Sequence, residues 1–274
     1  MNANSPVVTA PTVLCLADDA GLGPLPLVAG LEKIPEVSLV RRPAGELAEA
    51  LTAGLADAAL VSLMDLQHAE HPLTIIPAGC ISCADTSVTV QLLCHMPPED
   101  LDALLVRDRG DTASVLARLI WLHTYGRRLE ILPFLTTTAQ LPPETQAVLL
   151  AGDQALHDRP AGFQWQLDLG SLWFEMTGLP LVMSVWAAGA KPCSASLYRL
   201  LIQARRLGEQ SAKTIAAQRG LAAGWPVELA VRYLTRDLRF DFADEQREGV
   251  EEFFDLAQRA GIIELARPLR IYQP

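Results

Sequence analysis

The sequence predicts an α/β fold with a mostly parallel sheet and a helical C-terminal end. Three observations carry that reading. Short apolar, β-branched runs alternate with helical stretches through the first half of the chain. Strand-like runs recur as far as residue 188, and beyond Pro192 the pattern turns wholly helical. No internal repeat or low-complexity linker interrupts this order. Two α/β halves followed by helices suit two lobes joined by crossing strands.

Residues 1–11 read as a frayed tail. "TVLCLA" (12–17) is the first strand. "GLGPLPLVAGLE" (21–32) gives a loop and then a helix start, marked by its Gly and Pro residues. "SLVRRP" (38–43) is the second strand. "AGELAEALTAGLAD" (44–57) is a helix with Leu47, Leu51 and Leu55 on one face. "AALVSL" (58–63), "LTIIPAGCIS" (73–82), "SVTVQLLCH" (87–95) and "DALLVRD" (102–108) follow as strands. "DTASVLARLIWLHTYG" (111–126) is a helix with a polar cap and a terminal Gly. "LEILPF" (129–134) and "AVLLAGDQAL" (147–156) supply another strand pair, the second ending in a Gly-Asp turn. "LVMSVWAA" (181–188) is a buried strand entered through Thr177-Gly178-Leu179-Pro180. Helices cover 196–220, 227–238 and 244–262.

The chain has 274 residues, half of them hydrophobic, which is ample for a sizeable core. Its net charge of −10 argues against nucleic acid as a partner, because phosphate neutralisation needs a basic face. A small anion remains compatible, since a local pocket can be positive on an acidic protein. No unbroken apolar run reaches about 18 residues, so no membrane span is expected. The N-terminal segment lacks a basic start, and the five cysteines are unevenly spaced. Both point to the cytoplasm. Cys80-x-x-Cys83 with Cys94-His95 invites a zinc reading, but a lone Cys-x-x-Cys is weak, and buried thiols are the expectation. No metal and no cofactor is expected. Oligomeric state is not legible.

Several stretches together resemble the chorismate dehydratase family of the futalosine route to menaquinone. The most specific is "DLGSLWFEMTGLPLVMSVWAA" (168–188), whose Asp-Leu-Gly, Thr-Gly-Leu-Pro and Val-Trp-Ala are family features. "PLPLVAGL" (24–31), "ADAALVSL" (56–63), "DTASVLARLI" (111–120), "LLAGDQAL" (149–156) and "EGVEEFFDLAQRAGI" (248–262) match in the family's order. The resemblance implies a two-lobed fold like the type II periplasmic binding proteins, with a ligand cleft. Lobe 1 would comprise 12–92 and 188–274, and lobe 2 would comprise 93–187. "SVTVQLLCH" and "LVMSVWAA" would be the crossing hinge strands, with Trp186 near the hinge. The alternative for Trp173 and Trp186 is ordinary core packing.

The implied activity is a hydro-lyase that removes water from chorismate, a small dianion, to give 3-[(1-carboxyvinyl)oxy]benzoate. The resemblance maps its catalytic positions to Thr89, where the family has Ser, and to Gly23, where it has Asn. It maps substrate binding to Ser87, Gly152 and Asp153, to Thr177, and to the helix start at Thr112, Ala113 and Ser114. Bland readings stand beside these. "RGDTAS" (109–114) also reads as a simple N-cap, with an Asp111 that would repel an anion if it faced the cleft. Asp153 also reads as a helix cap, and Thr177 as a turn stabiliser. The loss of Asn at 23 favours a second function: a two-lobed binding protein for an aromatic carboxylate, impaired in catalysis. A sister enzyme with a His nucleophile is the third option, but no matched motif supplies that His.

Overall fold

The computed structural model describes residues 11–134, 141, 145–157 and 160–274. Most of the expected N-terminal tail, 1–10, lies outside the described residues. Among the described residues, twelve strands form two sheets. They are β1 (Thr12–Ala17), β2 (Val37–Arg42), β3 (Ala58–Ser62), β4 (Thr74–Cys83), β5 (Val90–Cys94), β6 (Ala103–Val106), β7 (Glu130–Pro133), β8 (Ala147–Ala151), β9 (Trp165–Asp168), β10 (Leu181–Ala188), β11 (Leu238–Arg239) and β12 (Arg270–Ile271). The first sheet runs β11-β4-β10-β3-β1-β2, with β12 beside β4. The second runs β7-β6-β8-β5-β9. β1 pairs parallel with β2 and β3, whereas β10 lies antiparallel between β3 and β4. The α-helices among the described residues are α1 (Leu47–Thr52), α2 (Leu63–His68), α3 (Thr112–Tyr125), α4 (Gln154–His157), α5 (Leu169–Thr177), α6 (Ala195–Ile215), α7 (Val227–Arg232) and α8 (Asp244–Arg259).

Several elements depart from the sequence reading for local reasons. The expected helix start in 21–32 is two 3₁₀ turns, Leu25–Val28 and Leu31–Lys33. Pro24 and Pro26 remove backbone donors there, and Gly30 adopts φ 77°. In the 44–57 stretch the α-helix stops at Thr52. Leu47 and Leu51 are buried, but Leu55 follows the left-handed Gly54 and is 56% exposed. Ser62 ends β3 and opens the unforeseen α2, exchanging hydrogen bonds with Asp65 in a capping box. Trp173 and Trp186 are both fully buried, and Trp173 lies against Phe253 of α8. Core packing is the role the structure gives them.

The chain passes between the sheets twice: through 84–89 from β4 to β5, and through 178–180 from α5 to β10. β5 belongs wholly to the second sheet and β10 wholly to the first. The expected lobe limits, 92/93 and 187/188, fall inside β5 and β10, beyond the points where the chain changes sheet. The strand expected over 87–95 begins only at Val90, because the segment before it is held in another shape.

One side chain does the holding. Asp168, the last residue of β9, caps α5 by accepting from Ser171 N at 3.0 Å. Its Oδ1 also accepts from Ser87 N at 2.9 Å and Ser87 Oγ at 3.0 Å. Its Oδ2 accepts from Thr86 Oγ1 at 3.0 Å, Val88 N at 2.8 Å and Gln91 Nε2 at 2.6 Å. These bonds secure Val88 at φ 61°, which a β-branched residue resists at a cost on the order of 1–3 kcal/mol. Gly170 lets the helix approach, because a Cβ there would sit 2.6 Å from Ser87 N and 3.0 Å from Cys83 Sγ. The second connection has a similar device. A Cβ on Gly249 of α8 would sit 2.5 Å from Pro180 O.

At the start of α3, Asp111 caps the helix by accepting from Ser114 N at 2.6 Å. Burial pushes its carboxyl up to about 6, against the lowering effect of the Ser114 hydrogen bonds and with a smaller push from Asp108.

Two outcomes follow from these carboxylates. Asp168→Ala should lower the unfolding free energy by about 3–5 kcal/mol, because several donors lose their acceptor together. Asp168→Asn, which keeps part of the acceptor set, should cost less. Chemical denaturation of the three proteins measures the ranking. Asp111 binds its proton more tightly folded than unfolded, so its contribution to stability is full below about pH 4 and lost as pH rises through about 6. Asp111→Asn keeps the cap without the charge. It should therefore leave the melting temperature nearly unchanged at pH 4 and raise it at pH 8, by an amount equivalent to about 1–3 kcal/mol.

Candidate functional site

A cavity of about 160 Å³ lies between the two sheets. For scale, an apolar cavity of roughly 150 Å³ accommodates benzene. The first sheet contributes Ile81, Ser82 and Cys83 from β4 and Met183 and Ser184 from β10. The loop after β1 brings Ala20, Gly23 and Pro24, the turn after α7 brings Tyr233, and β11 brings Leu238. Ser87 and Thr89 enter from the first connection, Val90 from β5, and Ala151, Gly152 and Asp153 from the end of β8. The walls are mainly apolar, with a few hydroxyls set among them, the usual make-up of a small-molecule site.

Five of the residues singled out in the sequence come together here: Gly23, Ser87, Thr89, Gly152 and Asp153. Ser87 Oγ is already committed, donating to Asp168 Oδ1 at 3.0 Å while accepting from Val90 N at 3.1 Å. It shapes the wall. Thr89 Oγ1 lies 3.2 Å from Tyr233 Oη and 3.3 Å from Ser87 O. Asp153 accepts from Leu22 N across the cleft at 3.3 Å. Among the described residues it is the one acidic or basic side chain lining the cavity. Gly21 at φ 61° packs directly on this carboxylate, where any side chain would collide with it.

The other expected contacts lie elsewhere. Thr112, Ala113 and Ser114 are buried and do not line the cavity. Thr112 Oγ1 accepts from Met64 N at 3.3 Å, a contact from α3 to the first turn of α2. Ser114 Oγ donates to Asp108 O, and Asp111 takes up Ser114 N. The helix start thus satisfies its own groups and meets α2. Thr177 Oγ1 donates to Trp173 O at 2.9 Å and accepts from Leu179 N at 3.1 Å, so it stabilises the turn into β10.

Cys80 and Cys83 are buried in β4. Burial pushes the Cys80 thiol up to about 12 and the Cys83 thiol higher still, so both stay protonated. Cys80 Sγ donates to Asp241 O at 2.9 Å. Among the described residues no group of three or more His, Cys, Asp or Glu side chains could hold a metal ion. Among them, too, no helix is long and apolar enough to cross a membrane.

Tyr233 is the functional candidate that sequence reasoning missed. It lies in the stretch read only as a helix over 227–238. The helix there widens into a five-residue turn over Tyr233–Asp237, an irregularity often found at functional sites. No residue pattern in "VELAVRYLTRDL" marks that widening. The Tyr233 ring stacks on Trp225 with centroids 4.8 Å apart, and its hydroxyl reaches the cavity beside Thr89.

Comparison with known proteins fits this architecture. A family model described as menaquinone biosynthesis matches residues 20–259. Protein AF1704 from Archaeoglobus fulgidus superposes with a TM-score of 0.70 at 17% identity, over 92% of this chain and 98% of its own. The periplasmic aliphatic sulphonate binding protein SsuA from Escherichia coli gives 0.61 at 16% identity, over 94% of each chain. The ligand-binding component of an ABC-type import system from Staphylococcus aureus gives 0.65 at 10% identity, over 95% of this chain and 94% of its own. At these identities the structural likeness shows the fold, which is the two-lobed fold of the solute-binding proteins. The match over most of its length shows that this chain belongs to the menaquinone biosynthesis family.

Proposed function

We propose that the chain is a chorismate dehydratase, a hydro-lyase that works without a cofactor. The observation that carries the reading is the cavity itself. It is ring-sized, mainly apolar, and has the Thr89 and Tyr233 hydroxyls side by side in its wall. Family membership ties the chain to menaquinone biosynthesis, and the earlier motif matches single out this member of the route. The reading puts the reaction in the cytoplasm, and the free cysteines support it, since a reducing compartment keeps thiols unpaired.

The elimination is chemically simple. The ring carbon bearing the ether loses its proton, and the neighbouring carbon loses its hydroxyl. The C–H electron pair becomes the new ring double bond, and water departs. Aromaticity drives the step; a carboxylate of the substrate takes the proton as base, and that proton passes to the departing hydroxide, which leaves as water. The protein then has to orient the ring, exclude water and hydrogen-bond the departing oxygen. Ile81, Met183 and Leu238 supply the apolar seat. Thr89, fixed by the connection that Asp168 organises, sets the Thr89–Tyr233 hydroxyl pair that meets this oxygen. Asp153 repels the substrate carboxylates from the β8 side and so biases its orientation. Ser87 and Gly152 shape the wall on either side. The hydroxyls of Thr112, Ser114 and Thr177 serve the frame.

One observation favours the second reading, a binding protein for an aromatic carboxylate. Gly23 offers no side chain where the resembled family has Asn. Incubation with chorismate, with chromatographic detection of the dehydrated product, separates the two. Rapid product formation is expected. Tight binding without product would replace the enzyme reading with the binding-protein reading. In the active protein, Thr89→Val should lower kcat by roughly 100-fold while leaving the melting curve intact, the usual effect of losing one preorganised donor. A variant as fast as the wild type would remove Thr89 from the mechanism.

A further inference from the structure

We propose that Tyr233 is the donor this site presents to its ligand, and that Gly23 is glycine to leave room for the tyrosine hydroxyl. The proposal rests on reading the cavity as the substrate site.

Gly23 does not have a left-handed backbone, so its conformation does not require glycine. Space does. A Cβ built there would lie 3.3 Å from Tyr233 Oη, with Ile81 Cδ1 and Leu238 Cδ1 both at 3.8 Å. A longer side chain would compete with the phenol for the cavity. The loop cannot easily retreat, because Leu22 N is bonded to Asp153 and Gly21 packs on the same carboxylate. The missing side chain at 23 and the hydroxyl of Tyr233 are therefore two sides of one arrangement.

The phenol is well placed to donate. Its ring is buried and held by the stack on Trp225. Burial pushes its ionisation above the ordinary tyrosine range, opposed by the Thr89 hydrogen bond, so the proton stays on. The Thr89 and Tyr233 hydroxyls carry two protons, and the neighbouring Ser87 carbonyl is an acceptor. When a ligand oxygen enters, Thr89 donates to Tyr233 and Tyr233 donates to the ligand. This chain passes polarisation from the connection to the cavity without an ionised group.

The test uses four proteins: wild type, Tyr233→Phe, Gly23→Ala and the double variant. Phe keeps the ring and its stack, and thermal melts check that each variant folds. With chorismate, Tyr233→Phe should lower kcat by about 10- to 100-fold with a smaller change in KM. Gly23→Ala alone should also slow turnover. Added to Tyr233→Phe it should do little more, because the methyl no longer meets a hydroxyl; such non-additivity marks groups in contact. A Tyr233→Phe variant with wild-type kcat and wild-type affinity overturns the proposal. So does a strictly additive double variant. If the wild type binds chorismate without converting it, the dehydratase reading fails, and the donor is judged by calorimetry. Tyr233→Phe should then weaken chorismate binding by about 5- to 10-fold, and equal affinities overturn it. A wild type that binds neither chorismate nor benzoate overturns both readings.

Discussion

Asp168 accepts from Thr86, Ser87, Val88, Gln91 and Ser171, so a single carboxylate joins the cap of α5 to the connection between the two sheets. The rest of the site depends on that junction. Without it, Val88 has no reason to hold a left-handed backbone, and the segment 86–89 would relax toward the extended form its β-branched residues prefer. Thr89 would then point elsewhere. The chain of dependence runs from Asp168 through Val88 to Thr89, and from Thr89 to Tyr233 across the cavity.

The lobes meet through contacts that differ in kind. Asp153 reaches Leu22 N at the β8 side, Thr112 meets Met64 N at the α3 side, and Thr89 meets Tyr233 in the middle. Each is a single hydrogen bond worth on the order of 1 kcal/mol. The two connections, by contrast, are fixed by many bonds or by close backbone packing. Other contacts cross the same boundary: Trp173 of α5 lies against Phe253 of α8, and Arg128 Nη1 donates to Ala260 O at 3.2 Å. The hydrogen bonds lining the cleft are thus a small part of what joins the two sheets.

The sequence made the frame readable because strands and helices follow hydrophobic period, and β1, β3, β4, β10 and α3 fall where that period puts them. The Asp-Leu-Gly at 168–170 was visible as a motif, but its purpose was not. Gly170 matters because Ser87 lies against it, a contact across 83 residues of chain that no local pattern encodes. Thr112 and Ser114 looked like ligand hydroxyls because a helix start can bind anions. The structure spends them on Met64 and Asp108 instead. Gly23 looked like a loss because its chain neighbours cannot reveal Tyr233, which reaches it only through the fold. What stayed illegible is the set of contacts made between distant segments, and the candidate site is built from those.

The most direct measurement is a crystal structure of the protein with 3-[(1-carboxyvinyl)oxy]benzoate bound. The aromatic ring is expected between Ile81, Met183 and Leu238, with a ligand oxygen within hydrogen-bonding distance of Tyr233 Oη and the 86–89 segment still held on Asp168. A ligand seated outside this cavity, or one whose oxygens ignore both Thr89 and Tyr233, would contradict it.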